Sequence, residues 1–320
     1  MTHRLGIVVP LLVAAALLPR SARPEAQPDP LLVGTIDMHI HTEPDMAAFG
    51  GSSLDDLELA KKARDKGMRA IVIKPIYFES ASRAYLVRKT VPGIEVFGGL
   101  ILKHHVGGMN PEAVEGFAAL AGGANKVVWM PNIDSEQQVR FYRLNRPGVR
   151  ISDGQKLLPE TLKVLDAIAK HKLVLATSHA SAEEGLMLIR EGRARGIQNI
   201  VVTHAIQDPI NMTVDQMKEA ARMGAFIEHA VLGMFKGTES HLGGFFRRQR
   251  KFAIEDHAKV ITAVGAEHCI LVTDLGQYFN PTAPDGYKAF MVGLKQFGIS
   301  DAEIDVMTRK NPAKLLGLNP

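Results

Sequence analysis

Ile36-Asp37-Met38-His39-Ile40-His41 is the stretch on which the reading of this chain turns. It is a short, β-forming, largely apolar run that closes on two histidines one residue apart. Residues two apart on a strand point the same way, so His39 and His41 are expected to project side by side from one strand end. Two imidazoles so placed can share a single divalent metal. A His-x-His pair alone carries little weight; its significance depends on what the rest of the chain places beside it.

Working outward, the sequence from about residue 33 alternates short apolar β-rich runs with longer segments of helical period. Strands are expected over 34–41, 69–75, 95–103, 126–131, 172–179, 199–204, 225–229 and 269–274. Most are nearly continuous apolar runs, such as Ala70-Ile71-Val72-Ile73, which suits parallel strands buried on both faces. Helices are expected between them. One covers 54–66 after Ser52-Ser53. A second covers 160–170 behind Pro159, a good first-turn residue. A third covers 181–195, opening on the capping box of Ser181 and Glu184. Two more cover 213–223 and 254–264. Eight strand–helix repeats over this length predict an α/β fold, a single-domain (β/α)8 TIM barrel spanning 33–320. A doubly wound open sheet would want a Gly-rich phosphate loop after its first strand, and none is present. Two long connections, 132–158 and 230–253, leave the C-terminal ends of strands and are expected to lie over the barrel mouth.

In a barrel enzyme the reactive groups sit at the C-terminal strand ends. The fifth expected strand ends in His179, the sixth in His204 and the eighth in Asp274, at the same end as His39 and His41 in the first. Four of the eight strands thus finish in metal-capable side chains, and together they predict a metal site. His229 also ends a strand; a substrate contact and a structural role are both open to it. His104 and His105 follow the third strand, and one of them is expected at the mouth. His171, His257 and His268 are read as surface residues.

These residues resemble a known pattern. Asp37-Met38-His39-Ile40-His41, His179, His204 and Asp274 are similar to the ligand set of the amidohydrolase superfamily, and Asn311-Pro312-Ala313-Lys314-Leu315-Leu316-Gly317-Leu318 resembles its closing helix. More narrowly, the segments 67–74, 92–99 and 126–131 resemble an uncharacterised amidohydrolase-related family. The resemblance implies a metal-dependent hydrolase. In it His39, His41 and Asp274 hold the more buried metal. His179 and His204 hold a second metal, or His179 joins the first site while His204 assists catalysis. Asp274 acts as the general base. Binuclear members usually carry a bridging lysine or glutamate at the end of the fourth strand, whereas this strand ends Val128-Trp129-Met130-Pro131. Lys74, at the end of the second strand, is left with two roles: a carboxylated bridge between metals, or an ammonium that binds an anionic substrate. The metal count is therefore one or two.

The implied cofactor is a divalent transition metal. Imidazole and carboxylate ligands suit zinc, and also iron, manganese or nickel. The single cysteine, Cys269, excludes a cysteine-based zinc site and an intrachain disulfide, whereas twelve histidines leave ample imidazole. The net charge of +4 comes with no basic motif interleaved with aromatics, so nucleic acid is not an expected partner. A small molecule is, and a homo-oligomer is left open. Tyr77, His105, His229, Arg247 and Arg248 are the candidate substrate contacts, the arginines suiting a carboxylate. The expected reaction is hydrolysis of an amide, lactone or ester bond; metal-assisted decarboxylation and a non-catalytic ligand-binding barrel are the alternatives. Residues 1–26 read as a signal peptide: a basic start, an apolar run over 7–18, then candidate cleavage sites at Ala22 and Ala26. Export to a periplasm or the exterior is the expectation, with no stable membrane insertion once the leader is processed, and membrane anchoring if it is kept.

Overall fold

Eight parallel strands follow one another in chain order around a single sheet in a computed structural model that describes residues 27–319. They are β1 (Ile36–Ile40), β2 (Ala70–Ile73), β3 (Glu95–Ile101), β4 (Asn125–Trp129), β5 (Val174–Ala176), β6 (Ile200–Val202), β7 (Phe226–Ala230) and β8 (Cys269–Val272). Each begins and ends within a few residues of its expected position. The leader assigned to residues 1–26 lies outside the described residues.

The crossovers carry α1 (Asp56–Asp65), α2 (Ala81–Thr90), α3 (Pro111–Ala118), α4 (Glu136–Phe141), α5 (Pro159–Lys170), α6 (Ala182–Ala194), α7 (Val214–Arg222), α8 (Gly244–Arg247) and α9 (Ile254–Val264). After β8 come α10 (Ala283–Gln296), α11 (Asp301–Asp305) and α12 (Asn311–Leu316). Local chemistry sets the helix starts. Pro159 occupies the first turn of α5, and the Ser181–Glu184 box caps α6 as expected. For α1 the cap is Asp55, paired reciprocally with Glu58, and not the preceding serines.

Two apolar cores result. One lies inside the barrel, where Ile36, Met38, Ala70, Val72, Phe97, Val127, Trp129, Ile270 and Val272 meet Ala313, Leu315 and Leu316 of α12. The other separates the barrel from its helices and takes the alternate residues, among them Ile40, Ile71, Ile73 and Leu271. Strict alternation from Ile36 and Met38 would turn His39 and His41 out of the barrel. The β1–β2 register slips between Asp37 and Ile40, so three steps on β1 face two on β2. This bulge reverses the parity: Ile40 goes to the outer core, and His39 and His41 face the same interior as Met38.

β1 and β8 close the barrel with help from side chains. Asp274 N–H donates to His39 O at 2.7 Å and His41 N–H to Leu275 O at 2.8 Å. Asp37 Oδ1 accepts from the backbone N–H groups of His39 and Thr273, both at 3.1 Å. Beyond it the buried Tyr287 hydroxyl of α10 lies 3.0 Å from Ile36 O and 2.8 Å from Leu271 O, one carbonyl from each strand. Among the described residues no helix is long and apolar enough to cross a membrane.

Candidate metal centre

His39 and His41 arrive at the mouth from β1, and Asp274 from the end of β8. His39 Nε2 and His41 Nε2 stand 2.9 and 3.0 Å from the same atom, Asp274 Oδ1. In each imidazole the other nitrogen is already committed. His39 Nδ1–H donates to Glu228 Oε1 at 2.8 Å, and His41 Nδ1–H donates to Lys74 O at 3.1 Å. Acceptors at Nδ1 fix the tautomer and leave the Nε2 lone pairs aimed at one point. His39 Nε2 is buried without hydrogen-bond geometry to any partner. Ligands about 2.0–2.1 Å from one tetrahedral ion would be separated by about 3.3 Å, so a small spreading of these three atoms would admit one. The donor set therefore fits a divalent transition metal. Among the described residues, these three are the ones whose ligand atoms all lie within 4.8 Å of one another.

Electrostatics agrees with the geometry. Burial opposes charge on His39, but the carboxylates of Asp274 and Glu228 outweigh it and lift the imidazole above its ordinary value. Burial likewise opposes charge on Asp274, and His39 and His41 nonetheless hold its carboxyl well below the usual range. Asp274 is thus an anion poised for a cation. Glu228 does a second job, since the same Oε1 accepts the His204 backbone N–H at 3.1 Å.

His179 and His204 stand beside this cluster. Their rings are 5.0 Å apart, and His204 lies 6.0 Å from the His39 ring. His179 Nδ1–H donates to Gln138 Oε1 at 2.9 Å, leaving its Nε2 free, and His204 Nδ1 is buried without a partner. Burial pushes both imidazoles well below their ordinary value, keeping them neutral. Ser178, His204 and Asp274, at the ends of β5, β6 and β8, have left-handed φ angles of 51°, 27° and 55°. Such conformations cost a non-glycine residue about 1–3 kcal/mol each, and they gather where the chain turns off the strands. Gly276 has no such freedom to lose: a Cβ there would fall 2.1 Å from His41 O, so only glycine lets the β8 loop press against the β1 end.

The cleft above the cluster is open to solvent and holds about 500 Å³ of empty space with that opening included. His41, His179, His204 and Asp274 line it with Lys74 and with an apolar wall that includes Phe49, Phe245 and Phe246. Both long connections contribute, Asn132 and Ile133 from the first, and Leu232, Lys236 and Gln249 from the second. Lys74, carried inward by the parity of Ala70 and Val72, is buried 5.8 Å from the centre of the Trp129 ring. Burial pushes its ammonium down, with Asp274 and Glu228 pulling it part of the way back. Trp129 is the last residue of β4 and packs into the barrel interior, and Gly99 makes room for it: a Cβ there would lie 2.1 Å from the indole.

The remaining candidates lie elsewhere. Tyr77 is half-buried and His105 exposed, their rings 5.4 Å apart at the rim and outside the cleft lining. His229 points out of the barrel, with Nδ1 3.2 Å from Nδ1 of His257. His257 is itself fully buried, contrary to the surface position expected of it, because α9 turns it inward with Ala258 and Ile261. Arg247 donates to Ser240 O and Arg248 to Tyr142 O, so both brace the loops and neither lines the cleft. The sequence reading missed Glu228 and Lys236. Glu228 was findable: Phe226 and Ala230 mark the inward parity of β7, which assigns Glu228, and not His229, to the interior. Lys236 lies in an irregular loop with no periodicity to place it.

A family model described as "Family of unknown function (DUF6282)" matches residues 34–228, a span that contains His39, His41, Lys74, His179, His204 and Glu228 but stops before Asp274. No curated protein matches the sequence. Among solved structures, a dipeptidase described as a metallopeptidase is similar with a TM-score of 0.60 at 11% identity, over 88% of this chain and 98% of that one. A zinc-bound amidohydrolase from Burkholderia multivorans is similar with a TM-score of 0.58 at 14% identity, over 89% and 99%. A 2,6-dihydroxybenzoate decarboxylase in complex with its named ligand is similar with a TM-score of 0.51 at 12% identity, over 89% and 99%. At these identities the likeness is one of fold: the eight-stranded parallel barrel is shared with these structures.

Proposed function

This chain belongs to the DUF6282 family, and we propose that it is a metal-dependent hydrolase that cleaves an amide, lactone or ester bond of a small molecule. The observation that carries the reading is the convergence of His39 Nε2, His41 Nε2 and Asp274 Oδ1 at the floor of a cleft in the barrel mouth. A divalent ion in that donor set, zinc by preference, would supply an activated water and polarise a carbonyl. The chain's own groups do the rest. Glu228 and the Lys74 carbonyl orient the two imidazoles. Asp274 faces them through Oδ1, which leaves Oδ2 to hold the proton taken from the attacking water and return it to the leaving group. His179 and His204, kept neutral by burial, stand ready to orient the substrate or to accept a second ion, and Lys74, once carboxylated by carbon dioxide, would be the residue to hold two. The proposal includes export, on the leader sequence alone.

The test is a screen of lactones, N-acyl amino acids, dipeptides and phosphotriesters against the full chain supplied with zinc. We expect turnover of at least one class, and its loss in both His39→Ala and Asp274→Asn. Activity that survived both substitutions would overturn the assignment. Decarboxylation is the second reading, favoured by the likeness to a decarboxylase and by the missing fourth-strand ligand. Carbon dioxide among the products would decide for it.

A further inference from the structure

Lys236 is a buried cation without a counter-ion. It comes from the long connection after β7, is only 5% exposed, and lines the same cleft as the histidines and Asp274. Its Nζ donates to Gln207 Oε1 at 2.6 Å. Gln207 cannot offer more, because its Nε2 donates to Ala230 O at 2.9 Å and so fixes the oxygen toward the lysine. An ammonium has three hydrogens. Among the described residues no other protein acceptor takes one, and no ion pair includes Lys236.

The nearby acids are already engaged. Asp208 Oδ2 accepts the Arg250 backbone N–H at 2.9 Å, and its Oδ1 accepts Arg250 Nε at 3.1 Å. Asp274 is turned to His39 and His41. A buried charge left unpaired is costly, and a fold keeps one when a ligand completes the pair. The surroundings say what kind. Phe49, Phe245 and Phe246 form a cluster with ring centroids 6.0 and 5.6 Å apart, and Leu232, Ile76 and Met46 extend the wall. No arginine lines this cleft, so the forked donor that suits phosphate is missing; its cations are the ammonium groups of Lys236 and Lys74, each of which matches a carboxylate.

We propose that Lys236 is the anchor for a substrate carboxylate, and that the substrate is a small carboxylic acid whose apolar or aromatic body lies against the phenylalanine wall. The hydrolase reading is needed to say what becomes of the bound molecule, since the cleavable bond would lie over His39, His41 and Asp274. Anion recognition itself needs only Lys236, so the two can fail separately.

Calorimetric binding of 3-phenylpropionate and of its neutral amide to the zinc-supplied full chain tests the proposal. The wild type should prefer the acid by roughly ten- to hundred-fold, the range for a hydrogen bond to a charged group. Lys236→Met should erase that preference, with zinc content and the circular-dichroism spectrum unchanged, and Lys236→Arg should retain most of it. Gln207→Glu, which gives Lys236 an internal counter-ion while leaving it in place, should erase the preference as well, and it keeps the test open if the methionine variant does not fold. Equal binding of acid and amide by the wild type, no binding of the acid, or a preference that persists in both Lys236→Met and Gln207→Glu would overturn it. If the preference behaves as expected while no substrate class turns over, the carboxylate site stands and the hydrolase reading falls.

Discussion

One oxygen of Glu228 holds two parts of the centre. Its Oε1 receives the Nδ1–H of His39 and the backbone N–H of His204, tying the β1 ligand to the β6 end. A carboxylate behind a ligating imidazole fixes its orientation and makes it more basic, and removing one typically costs ten- to a hundred-fold in metal affinity. Glu228→Gln keeps the shape and removes the charge. It is expected to weaken zinc binding by about that factor, measured by competition against a chromophoric chelator; an unchanged affinity would mean that His39 is oriented by packing alone. The ligands could be read from the chain because each ends an apolar run. Their support could not, except at Glu228, because Gln138, Gln207 and Lys236 come from helices and loops whose approach to the mouth depends on tertiary structure. The arginines of the same loop were conspicuous in sequence and lie outside the cleft, since each finds a backbone carbonyl within the loops.

Elements meet most critically where β1 and β8 close the barrel. Tyr287 bridges a carbonyl of each strand from α10, and Asp37 lends a side-chain oxygen to two backbone N–H groups. Tyr287→Phe removes the hydroxyl, whose single hydrogen serves the two carbonyls between them. The expected cost is about 1–2 kcal/mol, read as a lower urea midpoint at an unchanged slope. A midpoint equal to wild type would show that backbone pairing alone closes the seam. Strand order and helix positions were legible at this scale, since apolar runs buried on both faces and capping residues announce themselves locally. The β1 bulge was not. Composition does not reveal a one-residue slip, yet without it the two histidines would face the helices. His39 and His41 stand side by side with ring centroids 5.3 Å apart, and the direction in which they face depends on the slip.

Across the whole molecule the buried cations leave a mark on stability. Burial pushes Lys236 down to about 8 from its ordinary 10.5. Between those values the unfolded chain binds a proton that the folded chain does not, so this group's contribution raises stability as pH climbs from about 8 to 10.5. Below 8 both states are protonated and the contribution is constant. Cys269 and Tyr287 act the other way in alkali, because burial raises both above their ordinary values and the unfolded chain loses their protons first. The comparison must therefore be wild type against Lys236→Met. Across that window the wild type should gain on the variant by about 3 kcal/mol, followed by denaturant unfolding at a series of pH values. A constant gap would mean that Lys236 titrates alike in both states.

The indole that Gly99 admits to the barrel interior has one more consequence. Trp129 is the chain's only tryptophan, and its ring centroid lies 6.3 Å from that of His39. Every photon of tryptophan emission from this protein therefore originates next to the proposed centre. Loading with an open-shell ion would darken it, zinc would shift it without that quenching, and a molecule entering the cleft would alter it again. The protein carries its own optical gauge, and occupancy can be followed in real time without attaching a label.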